Sequence, residues 1–106
     1  MKFKNKDDIS KIKMDGMSVK CFCPIGQSLC TYNVTIVMEP DAEIPDYIEV
    51  CDMVNDLNSR ELTIESAVAR ICNSVFKYVL PNRLEVTIRC NDAKHMPAEV
   101  TKVMEK

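Results

Sequence analysis

The sequence predicts one α+β domain whose elements follow the order strand, strand, helix, helix, strand, strand. Its 106 residues suit a single domain with one hydrophobic core. Apolar residues alternate with polar ones towards both ends of the chain, which is typical of strands with one buried face. In the middle they recur at three- and four-residue spacing, which is typical of amphipathic helices. This order favours an antiparallel four-stranded sheet with two helices on one face.

The first two strands are predicted to form a hairpin. Residues 17–23 alternate, and the more apolar face of this strand carries two thiols. Residues 24–28 break the pattern with a proline and a glycine. The second strand, residues 31–38, is rich in β-branched side chains. Its more regular apolar face is formed by Tyr32, Val34, Ile36 and Met38.

Two helices are predicted to follow. Pro45 suits the first turn of the first helix, which is expected to stop near residues 58–59. Its apolar stripe consists of Tyr47, Val50, Cys51, Val54 and Leu57. The second helix is expected to begin near Thr63 as N-cap and to end before Pro81. Its stripe consists of Ile64, Ala67, Val68, Ile71, Cys72, Val75, Phe76 and Val79.

A third strand is predicted over residues 84–90, and a weaker fourth strand over residues 98–104. No internal repeat or linker divides the chain. Residues 1–16 are therefore expected to form an N-terminal extension, and residues 17–106 a single domain.

Charge and hydropathy narrow the classes of protein. A formal net charge of −2 argues against a dedicated nucleic-acid clamp, although the N-terminus is rich in lysine. The longest uncharged stretch, residues 21–38, is interrupted by polar residues, so no membrane partner is expected. Residues 1–10 lack an apolar secretory core, which favours a cytoplasmic protein. The acidic block of residues 39–65 is interpreted as a solvated face.

Six cysteines are unusual in so short a chain. In a reducing compartment free thiols are expected rather than a disulfide framework. Cys51, Cys72 and Cys90 fall on predicted buried faces and are interpreted as core residues. The other three, Cys21, Cys23 and Cys30, cluster near the first hairpin turn.

Neither zinc nor another metal is expected in that cluster. Its Cys-x-Cys spacing differs from the usual Cys-x-x-Cys, and His95 is distant in sequence and is interpreted as an exposed loop residue. Cys23 differs from its neighbours because it lies at a strand end, directly before Pro24, where a thiol could face a pocket. It is a candidate nucleophile.

Glu65 has two interpretations. An acid in the first turn of a helix is favoured by the helix dipole, which requires no ligand. Alternatively, the two carboxylate oxygens accept hydrogen bonds from two N–H donors on one edge of a guanine-like ring.

Four segments together resemble the 7-cyano-7-deazaguanine reductase (QueF-type) family. The chain looks most like the short single-domain branch of that family, the QueF-like archaeosine synthases. The matching segments are Cys23-Pro24-Ile25, the strand at residues 32–36, residues 60–65 around the second helix start, and residues 81–86. The resemblance implies the tunnelling fold, in which ββααββ subunits join into barrels with sites between subunits. A homo-oligomer is therefore expected.

The resemblance also implies roles for three residues. Cys23 matches the cysteine that attacks the nitrile carbon of 7-cyano-7-deazaguanine to form a thioimide, and Glu65 matches the glutamate that anchors the ring. Cys30 stands where the family has an acidic aspartate, so Cys30 is the candidate substitute acid or a disulfide partner of Cys21 or Cys23. Ile64 stands where the family has histidine.

Two classes of function follow from this resemblance. Residues 46–51 lack the lysine of the reductases' nicotinamide-binding stretch, which favours ammonia addition to the nitrile, without a cofactor, over reduction by NADPH. The ligand implied is a 7-deazaguanine-type small molecule or a modified nucleic acid such as tRNA. The alternative is a purine-like-ligand binding or assembly module without catalysis, because the aspartate and the histidine are both absent.

Overall fold

The chain folds into a four-stranded antiparallel sheet with two α-helices against one face and a two-stranded sheet beside it. The computed structural model describes residues 1–94 and 96–106, and His95 lies outside the described residues. The large sheet has the strand order β2-β3-β5-β6, which confirms the α+β prediction. The elements are β1 (Lys2–Lys4), β2 (Ile12–Cys23), β3 (Ser28–Glu39), β4 (Glu43–Pro45), α1 (Tyr47–Asn55), α2 (Ile64–Val79), β5 (Arg83–Cys90) and β6 (Ala98–Glu105).

The predicted hairpin is formed by β2 and β3, which pair Cys21 with Cys30 across the two strands. Strand β2 begins at Ile12, inside the segment expected to be an N-terminal extension. The register shifts between Met14 and Met17, where Gly16 has a φ of +83° that L side chains rarely adopt. This bulge interrupts the alternation, which explains why the pattern revealed only the second half of the strand.

Helix α1 differs from the prediction in its start and in its buried face. Pro45 ends β4 instead of opening the helix, and the Asp46 side chain caps it by accepting a hydrogen bond from the Ile48 N–H at 2.9 Å. The expectation that Cys51 is a core residue is wrong, because its side chain is exposed. The helix buries Val50 and Val54, which lie one turn apart, and Cys51 falls beside that stripe.

Helix α2 follows its prediction closely. Thr63 is the N-cap, and its hydroxyl accepts a hydrogen bond from the Ser66 N–H at 3.2 Å. The helix ends at Val79, after which Leu80 adopts a left-handed conformation and Pro81 prevents continuation. Its buried residues belong to the predicted stripe: Ala67, Val68, Ile71, Cys72, Val75 and Val79.

The core lies between the helices and one face of the sheet. Strand β3 buries alternate residues from Cys30 to Met38, and β5 buries alternate residues from Leu84 to Cys90. Cys72 and Cys90 are buried as predicted. Within the described part of the chain, neither helix is long and apolar enough to cross a membrane.

Candidate thiol-lined pocket

A pocket with a volume of about 160 Å³ lies where β2 ends, α2 begins and β5 gives way to β6. Its walls are mostly apolar or sulfur-bearing. The residues that line it are Cys23, Ile25, Cys30, Tyr32, Thr63, Ile64, Glu65, Cys90, Ala93 and Ala98. The three residues singled out from the sequence, Cys23, Cys30 and Glu65, are thus brought together around one cavity.

The chain before α2 is fixed to the edge of β2, and this brings the helix start to the pocket. The backbone N–H of Phe22 donates to the carbonyl of Arg60 at 2.9 Å, and the N–H of Leu62 donates to the carbonyl of Phe22 at 3.0 Å. The buried hydroxyl of Tyr32 donates to the Leu62 carbonyl at 2.8 Å. These bonds hold the first turn of α2 beside Cys23, the last residue of β2.

Two of the three thiols of the hairpin lie in the pocket wall and are almost closed to solvent. Cys23 is 6% exposed and Cys30 is 1% exposed. The Cys30 Sγ lies 3.7 Å from both the hydroxyl and the carbonyl oxygen of Ser28. Any molecule that reacts with Cys23 must therefore enter the cavity, since the thiol is not presented on the outer surface.

Glu65 lies in the first turn of α2, where the helix dipole favours an acidic side chain. It is exposed, and no described residue donates a hydrogen bond to its carboxylate or forms an ion pair with it. The carboxylate oxygens are therefore available to accept hydrogen bonds from a ligand at the mouth of the pocket.

Tyr32 and Cys90 also line the pocket, although the sequence identified them only as members of buried faces. Burial, followed by the nearby thiols, raises the pKa of Tyr32. Burial is also the main reason that the pKa of Cys90 rises to about 11. Both side chains are neutral at pH 7. Their place in the site depends on the pairing of β3 with β5, which alternation within one strand does not reveal.

Cys21 lies in the core of the domain rather than in the pocket wall. Its Sγ is fully buried outside the pocket and donates to the Leu57 carbonyl at 3.3 Å. Burial, with a smaller contribution from Cys30, raises the pKa of the Cys21 thiol. All six cysteines are free thiols, so the sulfur pairs considered from the sequence are unbonded.

Asp92 was not singled out from the sequence, yet it folds back onto the thiols of the pocket. Its Oδ1 accepts hydrogen bonds from the Thr31 backbone N–H at 2.9 Å and from the Cys90 Sγ at 3.4 Å. The Thr31 N–H is the main reason that the pKa of Asp92 lies below its usual value. The ligand atoms of Cys30, Cys90 and Asp92 all lie within 4.8 Å of one another, so these residues could hold a metal ion.

The chain resembles known proteins in its structure but not in its sequence. No protein-family model matches the chain, and no curated protein sequence is significantly similar to it. The structure is similar to the archaeosine synthase QueF-Like in the apo form, with a TM-score of 0.82 and 20% identity over 90% of this chain and 93% of that chain. The sheet and helices of that tunnelling-fold protein thus match those described above.

The chain has the tunnelling fold. Dihydroneopterin aldolases have the same architecture. The E. coli enzyme in complex with neopterin matches with a TM-score of 0.74 and 10% identity over 91% of this chain and 99% of that chain. The Burkholderia thailendensis enzyme bound to guanine matches with a TM-score of 0.65 and 16% identity over 94% of this chain and 93% of that chain. These matches concern the fold alone. The chemistry of the pocket depends on the residues that line it.

Proposed function

We propose that this protein binds a 7-deazaguanine nitrile in the thiol-lined pocket and captures it on Cys23 as a thioimide. One observation carries the proposal: the nearly buried thiol of Cys23, the thiol of Cys30 and a carboxylate that no described residue contacts by a hydrogen bond or ion pair line the same cavity. A nitrile carbon is electrophilic and calls for a soft sulfur nucleophile. The resemblance of the sequence around Cys23 and Glu65 to the QueF-type family supports the same chemistry.

Ring binding is assigned to Glu65 and to the apolar walls. Two carboxylate oxygens match two N–H donors on one edge of a guanine-like ring, and such charge-assisted pairs are stronger than neutral hydrogen bonds. Ile25, Ile64 and Ala93 offer apolar surface to the flat ring. The neopterin and guanine complexes of the two aldolases support a ligand of this shape for the fold.

The chemical step adds the Cys23 S–H across the nitrile. The sulfur forms a bond to the carbon while one π bond of the C≡N group breaks, and the nitrogen receives a proton, which gives a thioimide. Cys30 is the proton donor in this proposal, since it lies in the same wall and stands at the position of the family's aspartate. The proton that Cys23 releases as its sulfur attacks returns to Cys30, so one proton passes from Cys23 to the nitrogen overall. The N-terminal end of α2 stabilises negative charge that develops on the nitrogen.

Ammonia then completes the reaction. It adds to the thioimide carbon, the C–S bond breaks, and the sulfur leaves as the thiol, so that the nitrile and ammonia together become an amidine. No electrons are gained or lost, and no cofactor is needed. The absence of a lysine from residues 46–51 supports this route over reduction by NADPH.

A second copy of the chain is proposed to complete the site. Pockets for drug-sized ligands usually measure about 300–1,000 Å³, whereas this cavity measures about 160 Å³ and Glu65 lies exposed at its mouth. A neighbouring subunit that covers the opening would enlarge the contact with the ring. Native mass spectrometry is expected to give an oligomer, and a monomer alone would count against this step.

Intact mass spectrometry and product analysis test the proposal. Incubation with 7-cyano-7-deazaguanine is expected to add the full mass of the nitrile to the protein, and ammonia is expected to release the amidine. Cys23→Ala should lose the adduct, while the matched control Cys51→Ala, which removes an exposed thiol of α1, should keep it. An adduct that persists in Cys23→Ala would contradict the proposed nucleophile.

Binding without chemistry is the second candidate, and it is favoured by Cys30 and Ile64 at the positions of the family's aspartate and histidine. It predicts that Cys23→Ser keeps the affinity for the nitrile and that the wild type shows no turnover.

Reduction, the remaining alternative, predicts NADPH oxidation when the nitrile is added. A polynucleotide ligand would reveal itself by a steep dependence of affinity on salt, which a free base lacks.

A further inference from the structure

We propose that Cys30, Cys90 and Asp92 form a binding site for one zinc ion beside the pocket, with two buried thiols and one exposed carboxylate as ligands. This site goes beyond the proposed function and does not rest on it. Its three ligand atoms, two sulfurs and one carboxylate oxygen, lie within 4.8 Å of one another. The residues are far apart in sequence, and the sheet brings them together.

The convergence is fixed by the backbone. Cys30 lies near the start of β3 and Cys90 at the end of β5, and these two strands are antiparallel neighbours. Both side chains belong to the buried face, so both sulfurs lie on the same side of the sheet. Asp92 lies two residues after Cys90. The Thr31 backbone N–H donates to both oxygens of its carboxylate, at 2.9 and 3.3 Å.

The distances suit a tetrahedral zinc ion. Zinc binds sulfur at about 2.3 Å and carboxylate oxygen at about 2.0–2.2 Å, which separates a sulfur from an oxygen by about 3.5 Å in a tetrahedron. The Cys90 Sγ and the Asp92 Oδ1 are 3.4 Å apart. No pair exceeds 4.8 Å, against about 3.8 Å for two zinc-bound sulfurs, so closure requires a shift of about 1 Å at most.

The donor set favours zinc over calcium and magnesium. Calcium and magnesium prefer sites made of oxygen alone, whereas two thiolates with one carboxylate match a borderline-soft ion. The Thr31 N–H orients the carboxylate, as outer-shell partners usually do for metal ligands. Three protein ligands leave a fourth tetrahedral position, and Cys30 and Cys90 both line the pocket.

Zinc binding and the proposed nitrile chemistry make opposite demands on Cys30. A zinc-bound cysteine is a thiolate, which has no proton to give to a nitrile nitrogen. The metal is therefore expected to slow thioimide formation if that chemistry occurs. Metal binding itself is measured without any nitrile, so failure of the proposed function leaves the zinc site standing, and the reverse also holds.

Cobalt and zinc titrations of the full-length, fully reduced protein test the site. A Cys51→Ser background removes the exposed thiol. One equivalent of Co²⁺ is expected to bind with thiolate-to-cobalt charge-transfer absorption, and Zn²⁺ is expected to displace it. Loss of an outer-shell partner weakens metal binding by about 10–100-fold, so Cys30→Ser and Cys90→Ser should each weaken it by more than about 100-fold.

Two further variants make the result decisive. Cys72→Ser, which alters a buried thiol that donates to the Lys102 carbonyl from α2, should bind cobalt as the background does. Asp92→Asn keeps an oxygen that accepts the Thr31 N–H but is a poor zinc ligand, so it should weaken binding while circular dichroism stays unchanged. The site would be overturned if the protein bound no stoichiometric cobalt. It would also be overturned if Asp92→Asn and Cys90→Ser bound cobalt with the same affinity as the Cys51→Ser background.

Discussion

The two ends of the four-stranded sheet are built from different chemistry. At the end where β5 begins, charged groups pair within the chain: Arg83 contacts Glu105 at 3.3 Å, and the Lys106 Nζ lies 2.5 Å from the Asp41 carboxylate. At the opposite end, where β2 ends, the cavity is lined by Cys23, Cys30 and Cys90, and the Glu65 carboxylate pairs with no described residue.

The two ends of the sheet differ in whether their charged groups have partners within the chain. At the Arg83 end, charged groups pair with one another within the chain. At the pocket end, the Glu65 carboxylate has no partner among the described residues, and three thiols line a cavity. Substitutions in the core and at the Arg83 end should therefore change stability, whereas substitutions in the pocket should change ligand binding and reactivity.

The largest effect on stability is expected for Leu84→Ala. Leu84 is fully buried at the Arg83 end of β5, and its truncation leaves a cavity. Loss of a buried leucine side chain lowers the free energy of unfolding by about 2–5 kcal/mol. Urea unfolding measures the loss, and Cys23→Ala in the pocket, which removes a single sulfur atom, serves as the comparison and should lose less. Equal losses in the two variants would break the distinction between the two ends.

Glu65→Gln is expected to weaken binding of a guanine-like ligand by about 10–100-fold. The amide replaces one accepting oxygen with a donor, and a hydrogen bond to a charged group contributes about 1.5–3 kcal/mol. Calorimetric titration measures the affinity. Glu61→Gln, an exposed glutamate shortly before the same helix and outside the pocket lining, is the matched control and should bind normally. Similar losses in both variants would remove Glu65 from the site.

Alkaline pH should lower the free energy of unfolding through the buried thiol of Cys90. Its pKa is raised from the ordinary 9.0 to about 11, mainly by burial, so the folded state favours the neutral form. The resulting stability is fully present below pH 9.0 and is lost as the pH rises through about 11. Urea unfolding between pH 8 and pH 11 should show a smaller decline in Cys90→Ala than in the wild type. Identical pH profiles would contradict the assignment.

The smallest effect is expected for the ion pairs at the Arg83 end. Arg83→Gln removes contacts with Glu105 and Glu85, all of them partly exposed. Exposed pairs contribute about 0–1 kcal/mol, and salt screens them. The loss measured by urea unfolding should stay below about 1 kcal/mol and shrink further in high salt. A loss that persists unchanged in high salt would show that packing, rather than charge, is responsible.

Most of the fold could be predicted from periodicity because each strand and helix of the core has one buried face. The order of elements and the Thr63 cap follow directly from that pattern. The bulge at Gly16 hid the first half of β2, and the short strand Glu43–Pro45 replaced the expected helix start at Pro45. Cys51 falls at helical spacing with Val50 and Val54, which predicts a core position, but α1 buries only Val50 and Val54.

The site was less predictable because it depends on pairing between elements that are distant in sequence. Cys23, Cys30 and Glu65 were singled out by position and by family resemblance, and they line one pocket. Cys90 was correctly expected to be buried, but its place beside Cys30 requires the pairing of β3 with β5. Asp92 carried no pattern at all, since a polar residue after a strand usually marks only a turn.

Mapping the site of covalent capture tests the central claim most directly, because the chain offers six free thiols and the proposal selects one. The protein is incubated with 7-cyano-7-deazaguanine, digested, and analysed by peptide mass spectrometry with all thiols quantified. The nitrile adduct is expected on Cys23, with Cys51 unmodified although it is the exposed thiol. An adduct on Cys51 instead, or no adduct on Cys23 while the ligand is shown to bind, would contradict the proposed chemistry.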